Sequence, residues 1–164
     1  MTLVAPGPLT DEHLSEAFDC GIVTLDEWLK RRALANQASG ASRTFVACEA
    51  DNVVGYYALA AGAVNVAAAA GRFRRNMPDP IPVAVLGRLA VDRSYQGRGI
   101  GRALFRDSAM RVAAAADSIG IRGILVHAIS EEARTFYLAI GFDPSPVGPM
   151  TLMATLANIR KSLG

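Results

Sequence analysis

At 164 residues the chain has room for one domain with a real core, and 51% hydrophobic against 20% charged residues excludes a disordered chain. Cys20 and Cys48 show no C-x-x-C or metal-ligand spacing, and His13 and His127 are far apart in sequence; we expect reduced thiols and no metal. The total charge is only +2, but residues 72–111 hold nine arginines against Asp79, Asp92 and Asp107, a local net of +6 that leaves −4 elsewhere.

That basic segment is the footprint of a phosphate-rich ligand or a nucleic acid, or else a solvated face. The opening run MTLVAPGPLTDEH lacks the basic head and long apolar stretch of a signal peptide. The most apolar run, Ala58 to Ala70, is interrupted by Gly62 and Asn65 and is too short to span a bilayer. A cytoplasmic protein with no membrane contact is the expectation.

In chain order, a short strand around Leu3 and Val4 ends at Pro6 and Pro8. Thr10 is placed to cap a helix carrying Leu14, Ala17 and Phe18. After Gly21, Thr24 and Glu27 have the spacing of a capping box and open a second helix with Leu25, Trp28, Leu29 and Ala33 on one face. Trp28 at that spacing reads as core or subunit interface. The segments Thr44–Cys48 and Val53–Leu59, joined at Asp51 and Asn52, predict an antiparallel hairpin. From there to Val83 the chain is irregular, with an alanine run, Pro78, Pro80 and Pro82, and the cations Arg72, Arg74 and Arg75; loops of such length are usually functional or disordered.

An apolar strand from Val83 to Val91 then leads through Asp92, Arg93 and Ser94 into Gln96, Gly97, Arg98, Gly99, Ile100, Gly101 and Arg102, where a long helix begins and runs to about Ile119. Glycines let the backbone take positive φ and approach a ligand closely, and the first helical N–H groups and the helix dipole favour an anion at the same place. The turn therefore reads as a pyrophosphate cradle, with a purely structural turn as the alternative. A dinucleotide fold requires G-x-G-x-x-G and an acidic residue after the next strand, and a P-loop requires G-x-x-x-x-G-K-[ST]. Neither is present. The apolar strand Ile124–Ile129 should lie parallel to the central strand, because a helix connects them. His127 within it reads as packed or surface-exposed. Ser130 caps the next helix, with Glu131 and Glu132 in its first turn and Gly141 after its end. A last strand with proline breaks and a short tail helix close the chain.

Gln96-x-x-Gly99-x-Gly101 resembles the Q/R-x-x-G-x-G/A motif with which Gcn5-related N-acetyltransferases (GNAT) grip acetyl-coenzyme A (acetyl-CoA). The segment EEARTFYLAIGF is similar to that family's A-x-x-F-Y-x-x-x-G-F helix. Over most of the chain, the runs FDCGIVTLDEWLKRRALANQASGASRTFVA and PIPVAVLGRLAVD also resemble the acetyltransferase toxins of type II toxin–antitoxin pairs. His127 departs from them, standing where an acidic residue is expected.

The resemblance implies an α/β (α+β) fold over residues 1–164 as a single domain: a mixed, mostly antiparallel sheet with a parallel, splayed pair formed by the fourth and fifth strands, flanked by helices. It implies acetyl-CoA as co-substrate, held by Leu89, Ala90, Val91 and the turn from Gln96 to Arg102. It also implies acetylation of the α-amine of charged tRNA, Tyr137 as proton donor to the leaving thiolate, a ribbon-helix-helix antitoxin that carries any DNA contact, and a homodimer. The residues support this reading in two ways and leave one rival open. Arg72, Arg74 and Arg75, helped by Arg88 or Arg93, exceed what coenzyme A requires and suit an acceptor stem. The central strand has no acidic residue before Asp92 to act as general base, and an α-amine, with a reference pKa of about 7.7–8.0, needs less help than a lysine. Tyr137 also fits an apolar face with Ala133, Phe136 and Ile140, so core packing stays open for it. The rivals are a small-molecule or protein N-acetyltransferase outside toxin–antitoxin systems and a non-catalytic coenzyme A sensor.

Overall fold

The computed structural model describes residues 3–163. In chain order it forms β1 (Leu3–Pro8), α1 (Val23–Arg31), α2 (Ala33–Ser39), β2 (Arg43–Glu49), β3 (Asn52–Val64), α3 (Gly71–Arg74), β4 (Ile81–Val91), α4 (Ile100–Ala115), β5 (Gly123–His127), α5 (Glu131–Ile140), β6 (Asp143–Ser145), β7 (Gly148–Thr155) and α6 (Leu156–Leu163). Among the described residues the strands make one mixed sheet in the order β1-β2-β3-β4-β5-β7-β6. Two compact units divide the chain, one running to Ala60 with Gly87–Ser108, the other covering Ala61–Leu86 and the residues from Ala109 onward.

In the first unit β1, β2 and β3 pair antiparallel, with Val4 opposite Cys48 and Val46 opposite Tyr56. Leu25, Trp28, Leu29 and Ala33 pack with Val46, Tyr56 and Ala90, so the apolar face expected from sequence is the buried one. Three local expectations fail here. Residues 9–20 form turns and not a helix. Leu9 and Phe18 are buried while Leu14 is 56% exposed, so Leu14 and Phe18 do not share one buried helical face. Instead, Leu14 exchanges backbone hydrogen bonds with Asp51 and Val53 at 2.8 and 2.9 Å, and the His13 ring accepts from the Thr10 N–H, local bonding that competes with a helix. The capping box also does not form. Ile22 occupies the cap position, Glu27 pairs with Arg31 one turn on, and Asp26 reaches back to accept the Cys20 N–H at 2.9 Å. The helix breaks at Arg32, where φ is −119°, so the single predicted helix is two.

In the second unit β5 lies between β4, to which it is parallel over Ala84–Leu86, and β7, to which it is antiparallel. A Cβ on Gly123 would lie 1.9 Å from the Ala154 carbonyl oxygen, so only glycine admits this approach of β5 to β7. The stretch expected to be irregular is partly ordered: β3 runs on to Val64, a 3₁₀ turn follows at Val66–Ala68, and α3 buries Phe73 against Val64, Ile81 and Met153. Strand β6, not expected from sequence, pairs with β7. Ser130 caps α5 by accepting the Ala133 N–H at 3.1 Å, and Gly141 ends it at φ 115°, both as read from sequence. No helix among the described residues is long and apolar enough to cross a membrane.

Candidate functional site

The link between β4 and α4 is built by short-range polar chemistry. Asp92 accepts the N–H of Ser94 at 2.9 Å and that of Asp19 at 3.0 Å, which folds residues 93–95 into a 3₁₀ turn and ties them to the chain before α1. Gln96 donates its amide to the carbonyls of Val91 and Cys20, at 2.9 and 3.1 Å. The motif glutamine therefore pins the turn to the end of β4. Gly97 and Gly99 then sit at φ +80° and +81°, in the left-handed region, and a Cβ on either would meet nothing within 4 Å. Backbone conformation, and not crowding, is what requires glycine at these two positions.

Helix α4 begins at Ile100, and Ala103 donates the first helical hydrogen bond to the Gly99 carbonyl at 3.1 Å. Its first turn contains no acidic residue, and Arg98 and Arg102 lie exposed at its mouth, Arg98 against the Tyr95 ring at 5.1 Å. The orphan N–H groups of a helix start, a glycine backbone open to solvent and two cations suit a diphosphate. The turn's own geometry thus suits the diphosphate of coenzyme A.

Strand β4 pairs with β5 only as far as Leu86 and runs on to Val91. Leu89, Ala90 and Val91 therefore lie beyond the paired stretch, as the splayed arrangement requires. Ala90 is buried, while Leu89 and Val91 are half-buried.

Tyr137 lies in the second turn of α5, 7% exposed, its ring 5.2 Å from Phe136 and 5.3 Å from Phe142. Burial pushes its phenol above the ordinary tyrosine value, so the group keeps its proton throughout the neutral range. The Cys20 thiol is pushed up to about 11, by burial first and then by its hydrogen bond with Asp26, and is a poor nucleophile at neutral pH.

The arginines named from sequence separate into two kinds. Arg72 is paired with Asp143, with one hydrogen bond of 2.9 Å and a second from Nε, and Arg93 with Asp19 at 3.2 Å. Arg88 lies over the Trp28 ring, 4.2 Å from its centre. Arg74 and Arg75 are exposed and have no side-chain partner among the described residues. Of the residues named from sequence, those from 88 to 102 belong to the first unit, and Arg72, Arg74, Arg75 and Tyr137 to the second. Sequence reasoning missed the bracing by Asp19 and Tyr95, whose O–H donates to Glu49, because these contacts join residues far apart in the chain. The Asp92-x-Ser94 spacing of a local turn was the available signal.

A tRNA-acetylating toxin of Mycobacterium tuberculosis (strain ATCC 25618 / H37Rv) is 51% identical to this chain over 160 residues, covering 98% of it and 96% of the relative. The solved structure of AtaT complexed with acetyl-methionyl-tRNAfMet is similar with a TM-score of 0.91 at 30% identity, covering 99% of this chain and all of that one. A mutant of the AtaT toxin, bound to the C-terminus of the antitoxin AtaR and acetyl-CoA, is similar with a TM-score of 0.82 at 30% identity over 98% of this chain and 97% of that one. The family model described as acetyltransferase (GNAT) domain matches residues 40–144. The chain belongs to the GNAT acetyltransferase family.

Proposed function

We propose that this protein transfers the acetyl group of acetyl-CoA to the α-amine of the amino acid on charged tRNA, and that it is the toxin of a toxin–antitoxin pair. The observation that carries the chemistry is the pair of left-handed glycines, Gly97 and Gly99, opening onto an acid-free helix start. The choice of charged tRNA rests on the relative at 51% identity, a tRNA-acetylating toxin.

Acetyl-CoA, when bound, supplies an activated acetyl thioester. The backbone N–H groups from Gly97 to Gly101 and the flanking Arg98 and Arg102 hold its diphosphate. Leu89, Ala90 and Val91 offer main-chain N–H groups to the thioester carbonyl, stabilising the oxyanion that forms when the amine nitrogen attacks. The carbon–sulfur bond then breaks, and Tyr137 gives its phenolic proton to the thiolate. Its buried, still protonated phenol suits an acid. The amine loses its proton to solvent without a carboxylate base, which its ordinary pKa of about 7.7–8.0 permits. Arg74 and Arg75 contact the acceptor stem, with Arg72, Arg88 and Arg93 contributing.

In this reading the protein is cytoplasmic, is a homodimer, and is neutralised by a ribbon-helix-helix antitoxin whose complex makes any DNA contact. Incubation with acetyl-CoA and bulk charged tRNA, followed by mass analysis of the released amino acids, tests the activity. N-acetylated amino acids from one or a few tRNA species are expected. Unmodified amino acids, with acetylation of free amines or protein lysines instead, would replace the tRNA reading with a small-molecule or protein acetyltransferase.

A further inference from the structure

The basic segment contains a cation that is held against a ring and, among the described residues, not paired with a carboxylate. Arg72 and Arg93 spend guanidinium donors on Asp143 and Asp19. Arg88, on β4 immediately before Leu89, instead lies above the face of Trp28 at 4.2 Å. A guanidinium in face contact keeps its N–H donors, which lie in its own plane, unspent. Among the described residues none of Arg88's donors has an acceptor and no carboxylate pairs with it.

The platform beneath it is rigid. Trp28 is 9% exposed and stacks on Tyr56 with centroids 5.9 Å apart and planes 11° apart. Tyr56 in turn meets the edge of Phe18 at 5.6 Å and donates its O–H to the Leu25 carbonyl at 2.7 Å. A ring that served only to fill the core would need no cation over its face. Here the stack ends in a planar, fully charged group with a fork of free donors. That group matches a phosphate, which takes two parallel N–H bonds from such a fork.

We infer that Trp28 is a positioning residue for the nucleic-acid substrate: it holds the Arg88 guanidinium flat, so that its edge engages a phosphate at the acceptor end of charged tRNA. This rests on the proposed activity toward charged tRNA. It gives a side chain that reads from sequence as core or subunit interface a role in KM for the acceptor.

The test compares Trp28→Leu, Trp28→Phe, Arg88→Ala, Arg88→Lys and the double variant Trp28→Leu/Arg88→Ala, with kcat and both KM values normalised to folded protein. Arg88→Ala should raise KM for charged tRNA about tenfold, the loss of one charge-assisted contact. Trp28→Leu should raise it by a similar factor, leaving kcat and the KM for acetyl-CoA near the parent's. The double variant should be no worse than Arg88→Ala alone. Trp28→Phe, which keeps an aromatic face, should recover most of the parent KM, and Arg88→Lys only part of it. An unchanged KM for charged tRNA in folded Trp28→Leu overturns the inference, as does a KM in folded Trp28→Phe raised as far as that of Arg88→Ala, or effects that multiply in the double variant. A rise in the KM for acetyl-CoA would assign Arg88 to the coenzyme and also overturn it. Failure of the proposed activity is recognised separately, since the parent itself would then leave charged tRNA unacetylated, and the inference falls with it.

Discussion

Helices α4 and α5 both follow a strand of the same sheet, and their first turns are built in opposite ways. Helix α5 closes its own start: Ser130 accepts the Ala133 N–H, and Glu131 and Glu132 place negative charge where the dipole is positive. Helix α4 has glycine where α5 has serine and no acid in its first turn, and it is flanked by arginines. One helix start is satisfied by the chain, and the other suits an anion from outside. The difference teaches that an anion site at a helix start is written as much by the side chains withheld as by those supplied. The closed helix is free to serve differently, and it carries Tyr137.

The largest effect should come from that closed helix. Tyr137→Phe keeps the ring packing and removes the proton, so kcat should fall about 10²-fold or more with little change in melting temperature. A variant that melts early while keeping its rate per folded molecule would return Tyr137 to the core. The raised phenol pKa has a definite sign: the acid form persists as pH rises, so the parent's kcat should not decline through loss of this proton up to about pH 9. A fall beginning near pH 7 would name a different acid.

On the open helix, Gly99→Val places a branched side chain at φ +81°, where the diphosphate approaches, and should weaken acetyl-CoA binding at least tenfold. Calorimetry showing parental affinity in a folded Gly99→Val variant would remove the turn as the site. Replacing Arg74 and Arg75 together with Ala should raise the KM for charged tRNA by about tenfold or less and flatten its salt dependence, without affecting acetyl-CoA. Adding Arg72→Ala should contribute less, because Asp143 already engages that side chain. Equal salt slopes for parent and variant would move the tRNA contact elsewhere on the basic segment.

Arg102→Glu writes part of the chemistry of α5 onto α4 and should raise the Kd for acetyl-CoA severalfold at low salt, an effect of about 1 kcal/mol. No change in Kd would mean that the charge of this first turn is immaterial. Smallest is the reverse experiment. Ser130→Ala opens the start of α5 and should cost about 1 kcal/mol, roughly 2–4 °C in melting temperature, with acetyl-CoA binding unaltered. A gain of acetyl-CoA affinity there would contradict the contrast between the two helices.

The sequence was most legible where one short segment decides its own conformation. Ser130, Glu131, Glu132 and Gly141 bounded α5 correctly, and the glycine turn and the start of α4 lie where the motif put them. Reading failed where several local options compete and tertiary contacts choose among them. Thr10 was a plausible cap, but residues 9–20 bond to the β2–β3 turn instead. Thr24 and Glu27 had capping-box spacing, yet Glu27 found Arg31 at i+4.

By itself the sequence determined the family, the strand–turn–helix that suits a diphosphate, and the candidate acid at Tyr137, because motif spacing and backbone freedom are properties of neighbouring residues. Only the tertiary structure decided which cations stay available. Asp143 lies 71 residues from Arg72, and Asp19 lies 74 from Arg93. It likewise brought Trp28 beneath Arg88. A charge is free or spent according to the partner that folding delivers, and no local pattern around an arginine records that partner.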